Sequence, residues 1–249
     1  MLLKRLSTLT AAALMATSAA AVDLSQMTEE ERTAFRAEVR AYLLDNPEVL
    51  MEAIAVLESR EAEAQAQADV SLVSQFEDQL LNDANSWVGG NPEGDVVMIE
   101  FLDYRCGYCR RAHGEVAELL ETDGNIKIIV KEYPILGEDS VKASRFAIAT
   151  LQQAGDEAYK KVADELMEIR GQMSEGNLRK VADRLELDAD AILGAMESDE
   201  VTAVIAANHQ LGRQMQINGT PTFIVGEQLL RGYVPLDGMR EIVKDVRAN

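Results

Sequence analysis

The stretch VVMIEFLDYRCGYC, Val96 to Cys109, decides the reading of this chain. Its first seven residues, Val96 to Leu102, form a nearly continuous apolar run, the pattern of a strand buried on both faces. A short loop follows, and Cys106 opens a helix predicted to run to about Glu121. After the turn Asp123-Gly124 a second apolar run, Ile126 to Val130 (IKIIV), reads as another strand. Strand, helix and strand with a short return make a β-α-β unit with a parallel pair.

Cys106 and Cys109 are the chain's two cysteines. A helix N-terminus offers N–H groups and the positive end of the macrodipole, so the Cys106 thiol should ionise easily. Arg105, Arg110 and Arg111 add positive charge nearby. Cys109 lies one turn on, on the same face. It can pair with Cys106 or resolve a mixed disulfide between Cys106 and another thiol, and thiolate is the attacking species in such exchange. Three other uses stay open. A structural disulfide across four residues would add only about 2 kcal/mol. A zinc site would have His113 as a third ligand and His209 as the only other histidine. Two thiolates also suit Cu(I), although the ten methionines are scattered. Redox exchange explains the setting best, with no cofactor and no metal.

Outward from this unit, residues 22–85 read as helical. Thr28 and Glu31 make a capping box, and Phe35, Val39, Tyr42 and Leu43 repeat at helical spacing. Asn46-Pro47 ends that helix and starts another, striped by Val49, Leu50, Ala53, Ile54 and Leu57. Glu58 to Asp69 has no large apolar face and reads as a solvated helix or stalk. Val73, Phe76, Leu80 and Leu81 resume an apolar face. Gly89-Gly90-Asn91-Pro92 reads as a turn opening the next region. Residues 139–217 hold helices only, with stops at Gly155, Gly171 and Gly176 and an N-cap at Asp188. Thr222–Val225 and Gln228–Arg231 form a hairpin through Gly226-Glu227, and Pro235 starts a last helix.

The first residues read as an export signal. Lys4 and Arg5 precede an apolar stretch from Leu6 to Ala16, and small residues fit cleavage near Ala21. The run is too short to span about 30 Å of hydrocarbon. Losing residues 1–21 takes the net charge from −19 to −21, which opposes binding to nucleic acid or anionic lipid. An exported chain stabilised by disulfides would carry more cysteines.

The strand with its C-x-x-C helix, and INGTPTFIVG at Ile217–Gly226, resemble the DsbA-like branch of the thioredoxin superfamily. The intervening helical block matches the size of that branch's insertion. FRAEVRAYLLDNPEVLMEAI, Phe35 to Ile54, resembles the N-terminal segment of suppressor-of-copper-sensitivity proteins of the ScsC type. The resemblance implies an α/β thioredoxin fold over residues 86–249 with a helical insertion at about 139–217. It implies a periplasmic thiol–disulfide oxidoreductase acting on exported proteins, reset by a membrane redox partner. Residues 22–69 would build a homo-oligomer, trimer or dimer. Cys106 would be the exposed nucleophile, Cys109 the buried resolving thiol, and Glu100 a buried acid that moves the Cys109 proton. Thr220-Pro221 would be a cis-proline loop that, with Gly107 and Tyr108, faces substrate. Strong oxidants of this branch carry a histidine between the cysteines. Gly107-Tyr108 and Thr220 resemble isomerases instead, so isomerase or general exchange is favoured over oxidase, with copper binding as the alternative. His113 reads as an ordinary helix residue, His209 has no catalytic partner in the sequence, and Trp87 reads as packing.

Overall fold

The computed structural model describes residues 24–248; the expected export signal, residues 1–21, lies outside them. The chain forms two compact units, divided between Ser59 and Arg60. No described helix is long and apolar enough to cross a membrane.

In the first unit α1 spans Glu29–Asp45 and α2 begins at Glu48, running to Gln75. The capping box forms as the sequence predicts. The Glu31 N–H donates to the Thr28 hydroxyl at 3.2 Å, and the Glu31 carboxylate accepts from the Thr28 N–H at 2.8 Å. Pro47 has no N–H to continue a helix ladder, and α1 stops at Asn46. No α1 residue is buried. Phe35, Val39 and Tyr42 stand exposed on α1, as do Leu50, Met51, Ile54 and Leu57 on α2. Glu58 to Asp69 is continuous α-helix.

The second unit is built on a five-stranded sheet of order β1-β3-β2-β4-β5. The strands are β1 Trp87–Gly90, β2 Val96–Leu102, β3 Ile126–Glu132, β4 Thr222–Val225 and β5 Gln228–Arg231. Central β2 pairs parallel with β3 and antiparallel with β4. Its alternation sends Val96, Met98 and Leu102 into one core and Ile99 and Phe101 into another. Helix α4, Gly107–Asp123, crosses from β2 to β3 and buries Cys109, Ala112, Val116 and Leu119 in the first core. Val73, Phe76 and Leu80, from the end of α2 and from α3 (Glu77–Leu81), fill the second. Residues 60–85 thus belong to the second unit. Asp69 is clamped to Arg231 of β5 by two hydrogen bonds of 2.6 and 2.8 Å.

Two local readings change. Gly89 and Gly90, expected to open a turn with Asn91-Pro92, end strand Trp87–Gly90 instead, because β3 supplies an antiparallel partner that pairs Trp87 with Val130 and Gly90 with Lys127. The Trp87 ring stacks on Tyr159 at 5.4 Å, and its N–H donates to the Asp156 carbonyl. The helices between β3 and β4 are α5 Glu138–Ala154, α6 Asp156–Glu168, α7 Glu175–Arg184, α8 Ala189–Ala195 and α9 Asp199–Gln214. Gly176 therefore lies inside α7, which starts from a Ser174 cap. Asp188 caps α8 as its side-chain chemistry requires, accepting from the Ala191 N–H at 3.0 Å. Helix α10, Leu236–Ala248, closes the chain.

Candidate active site

Asp103, just past β2, shapes the loop that carries the cysteines. Its carboxylate accepts the Arg105 N–H at 2.8 Å and those of Ile135 and Leu136 at 2.8 and 3.0 Å. Its carbonyl takes the Cys106 N–H. The loop is thereby tied to the segment after β3, and Cys106 falls at the N-cap of α4.

Both cysteines are free thiols. Cys109 is wholly buried, and Cys106 is only 7% exposed. That corrects the expectation of an exposed nucleophile: the Thr220-Pro221 loop covers it, and the Cys106 thiol donates to the Thr220 carbonyl at 3.1 Å. The Thr220–Pro221 peptide bond is cis. The loop is held by the Gly232 N–H on the Pro221 carbonyl and by the Thr222 hydroxyl on the Gly219 carbonyl. A Cβ at Gly107 would meet nothing within 4 Å, so the space beside Gly107 itself is open. Tyr108 beside it is 63% exposed and stacks on Tyr233. Arg111 lies 4.5 Å from the centre of the Tyr233 ring, and the Tyr233 hydroxyl donates to Glu115.

The two thiols differ sharply. Cys106 is lowered to about 5, mainly by a hydrogen bond with Cys109, then by the Thr220 side chain and the N–H groups of Cys109 and Tyr108, against the opposing effect of burial. Its thiol is almost entirely ionised at neutral pH. Burial above all pushes Cys109 far up, helped by the hydrogen bond to Cys106 and the charge of Glu100. The flanking arginines point elsewhere. Arg105 binds the Gly171 carbonyl and Arg110 the carbonyls of Tyr104 and Ile169, tying the loop to the segment between α6 and α7. Their positive charge is not what lowers Cys106. First-turn N–H groups and two side chains do that.

Glu100 is 3% exposed. Burial first, then the charges of Glu132 and Cys106, raise its carboxyl to about 8. A second buried acid escaped the sequence reading. Glu132 ends β3 and accepts the hydroxyls of Tyr104 and Tyr159 at 2.7 and 2.6 Å. Burial raises it to about 7 although both hydroxyls pull it down. Its strand-end position in a mixed polar run gave no cue to burial. Among the described residues no three of His, Cys, Asp and Glu gather as a metal site; His113 is bonded to Asp164 instead.

The thioredoxin family model matches residues 82–245, and a model of the N-terminal domain of the copper resistance protein ScsC matches residues 31–64. This chain belongs to the thioredoxin family. A thioredoxin-like oxidoreductase from Silicibacter pomeroyi is 41% identical, with a TM-score of 0.64 over 69% of this chain and 98% of its own. The thiol-disulfide exchange protein alpha-DsbA2 of Wolbachia pipientis is 27% identical, with a TM-score of 0.68 over 74% and 98%. Proteus mirabilis ScsC in a transitional conformation is 28% identical, with a TM-score of 0.65 over 90% and 98%. Within the superfamily the chain is a DsbA-like protein of the ScsC type. It spans about a quarter of the length of the curated relatives it first matches. One is a Na(+)/H(+) antiporter NhaA of Salinispora arenicola, 27% identical over 157 residues, 63% of this chain and 24% of the antiporter.

Proposed function

We propose that this protein is an exported thiol–disulfide oxidoreductase working on disulfides of other exported proteins in the periplasm. The observation that carries this reading is the contrast within one pair. Cys106 is a thiol lowered to about 5 at a helix N-cap beside a cis-proline loop, and Cys109 is buried and held protonated one turn on. The Cys106 thiolate attacks a substrate disulfide and forms a mixed disulfide, releasing a substrate thiolate. A second substrate thiol then displaces Cys106, or Cys109 does after losing its proton to Glu100. The backbone at Thr220 and the open side at Gly107 and Tyr108 receive the substrate chain. A membrane redox partner resets the pair.

Isomerase or general exchange is the favoured direction. Its support is Gly107-Tyr108, which places no histidine between the cysteines, and Thr220 before the proline. The exposed apolar residues of the first unit support assembly of several copies through residues 22–69, which would set several Cys106 sites around one misfolded chain. Copper carriage by the same pair fits less well, because two thiolate ligands are needed and burial keeps Cys109 protonated. Cys109→Ala should trap mixed disulfides with exported proteins, Cys106→Ala should trap none, and the intact protein should reactivate a scrambled-disulfide substrate. Failure of Cys109→Ala to trap any protein overturns the exchange reading. Trapping and thiol oxidation without reactivation would make the protein an oxidase.

A further inference from the structure

Resting on this exchange reading, we propose that His113, backed by Asp164, is the solvent-side station of a proton path that serves Cys109 through Glu100. When Cys109 attacks, its proton has to leave a wholly buried site. Only the ionised form of Glu100 can take it, and Glu100, buried as well, holds a proton of its own below about pH 8, so protons need a further way out. The structure holds one. Glu100 lines a mostly apolar cavity of about 40 Å³ whose wall also includes His113, Tyr159 and Lys160. That is room for a water molecule, and Glu100 and His113 are the polar residues on its wall whose side chains can exchange a proton with it.

Helix α4 puts His113 four residues after Cys109, on the same side. Its side chain is 26% exposed, so it touches both the cavity and the surface. Its Nε2 lies 2.7 Å from Asp164 Oδ1, and Asp164 also takes two 2.6 Å bonds from Lys160. Burial acts to raise the Asp164 carboxyl, but the His113 and Lys160 bonds outweigh it and hold it below the usual carboxylate range. An ionised carboxylate only accepts, so Nε2 carries the hydrogen and Nδ1 keeps a lone pair for an incoming proton. His113 thus bonds Asp164 of α6 and shares the cavity wall with Glu100 of β2 and with Tyr159 and Lys160 of α6. Asp164, 44% exposed, orients the ring.

The step balances as follows. The Cys109 S–H proton goes to Glu100, and the Cys109 thiolate attacks Cys106 Sγ of the mixed disulfide. The Cys106–Cys109 bond forms, the bond from Cys106 to substrate breaks, and substrate leaves as thiolate. The proton on Glu100 passes through the cavity to His113 and from there to bulk water. In the reverse direction the same path brings a proton to Cys109 as it leaves.

Mixing the reduced protein with Ellman's reagent separates the two events, since attack by Cys106 and resolution by Cys109 each release one coloured thiolate. His113→Gln keeps a donor for Asp164 but cannot take a proton. It should leave the first phase unchanged, slow the second by at least about tenfold and flatten its pH profile. Added imidazole should restore the second phase in His113→Ala. Asp164→Asn, which keeps shape and removes charge, should slow the same phase. A second phase unaltered in His113→Gln, one that imidazole does not restore in His113→Ala, or equal slowing of both phases overturns the path. Slowing in Glu100→Gln but not in His113→Gln overturns it while leaving the exchange reading standing. Absence of any second phase in the unaltered protein removes both.

Discussion

Cys106 Sγ lies 3.1 Å from the carbonyl oxygen of Thr220, 114 residues further along the chain. A carbonyl accepts the thiol proton and so favours the neutral form. The Thr220 side chain acts in the opposite sense and favours the thiolate, and its buried hydroxyl has no hydrogen-bond partner elsewhere. Thr220→Val removes only this donor. The Cys106 titration midpoint, followed by the ultraviolet absorbance of the thiolate, should rise from about 5 by about one pH unit, the size of one hydrogen bond to a charged group. An unchanged midpoint would assign the lowering to Cys109 and the helix N–H groups alone.

The same thiol makes reduced-state stability depend on pH. Folding lowers Cys106 from its ordinary value of 9.0 to about 5. Between those values the unfolded thiol holds a proton that the folded one has released, so stability rises with pH across this window and the contribution is lost as pH falls through 5. Reduced protein compared with Cys106→Ala by denaturant unfolding should show a difference that grows from pH 5 to pH 9. A difference that is flat in pH would mean the thiolate is not stabilised by the fold.

Glu100 works with the opposite sign. Folding raises it from 4.5 to about 8, through burial and then the Glu132 and Cys106 charges. Over that window the folded carboxyl keeps a proton that the unfolded one has lost, so stability falls as pH rises. Glu100→Gln should gain roughly 3 kcal/mol near pH 7, nothing below pH 4.5, and resolve mixed disulfides more slowly. A slower variant with no gain in stability would show that the acid is not held protonated.

The parts of this site legible in the sequence are those whose cause is local. The apolar run of β2, the cysteine spacing and the Asn46-Pro47 break carry their structure in neighbouring residues. Strand β1 does not, because Trp87–Gly90 becomes a strand only when β3 lies beside it. Periodicity locates apolar faces but is silent on which carboxylate is buried. Glu132 and Asp103 therefore went unread, though an Asp three residues before a helix-opening Cys is a turn signal that points to Asp103. The arginines mislead for a related reason. Long side chains beside Cys106 in sequence reach carbonyls of Ile169 and Gly171 instead. His113 reads as one more polar helix residue until α6 brings Asp164 and Lys160 to it.

Lys131 is a wholly buried cation on β3. Its Nζ donates to the Gln79 carbonyl at 2.9 Å and to Asp83 at 2.7 Å, fastening α3 and the following loop to the sheet. Burial lowers its pKa and Asp83 offsets this only in part. Removing one partner of such a pair costs about 3–5 kcal/mol, since the other charge is left without compensation. Lys131→Met should lose about that much in denaturant unfolding, and adding Asp83→Asn should recover a good part of it. A loss below about 1 kcal/mol in the single variant would place the pair among surface bridges.

Phe35, Val39 and Tyr42 recur at helical spacing along α1 and are all exposed. A lone helix gains little from propensity and needs its apolar face covered. Within the first unit no residue of α1 is buried, so that cover must come from elsewhere, and a stripe of this kind repeats identically on every copy of the chain. The self-association proposed for residues 22–69 would supply it, burying apolar area at about 25 cal/mol per Å². Light scattering at micromolar concentration should give a mass two or three times that of one chain. Val39→Asp with Tyr42→Asp should return it to a single chain and reduce helical circular dichroism, while the Cys106 titration stays at its midpoint. Retention of mixed-disulfide trapping by this variant, with loss of reactivation of a scrambled substrate, would assign isomerase work to the assembly and exchange to the single site. A single-chain mass for the unaltered protein would remove the assembly and leave the stripe without a role in it.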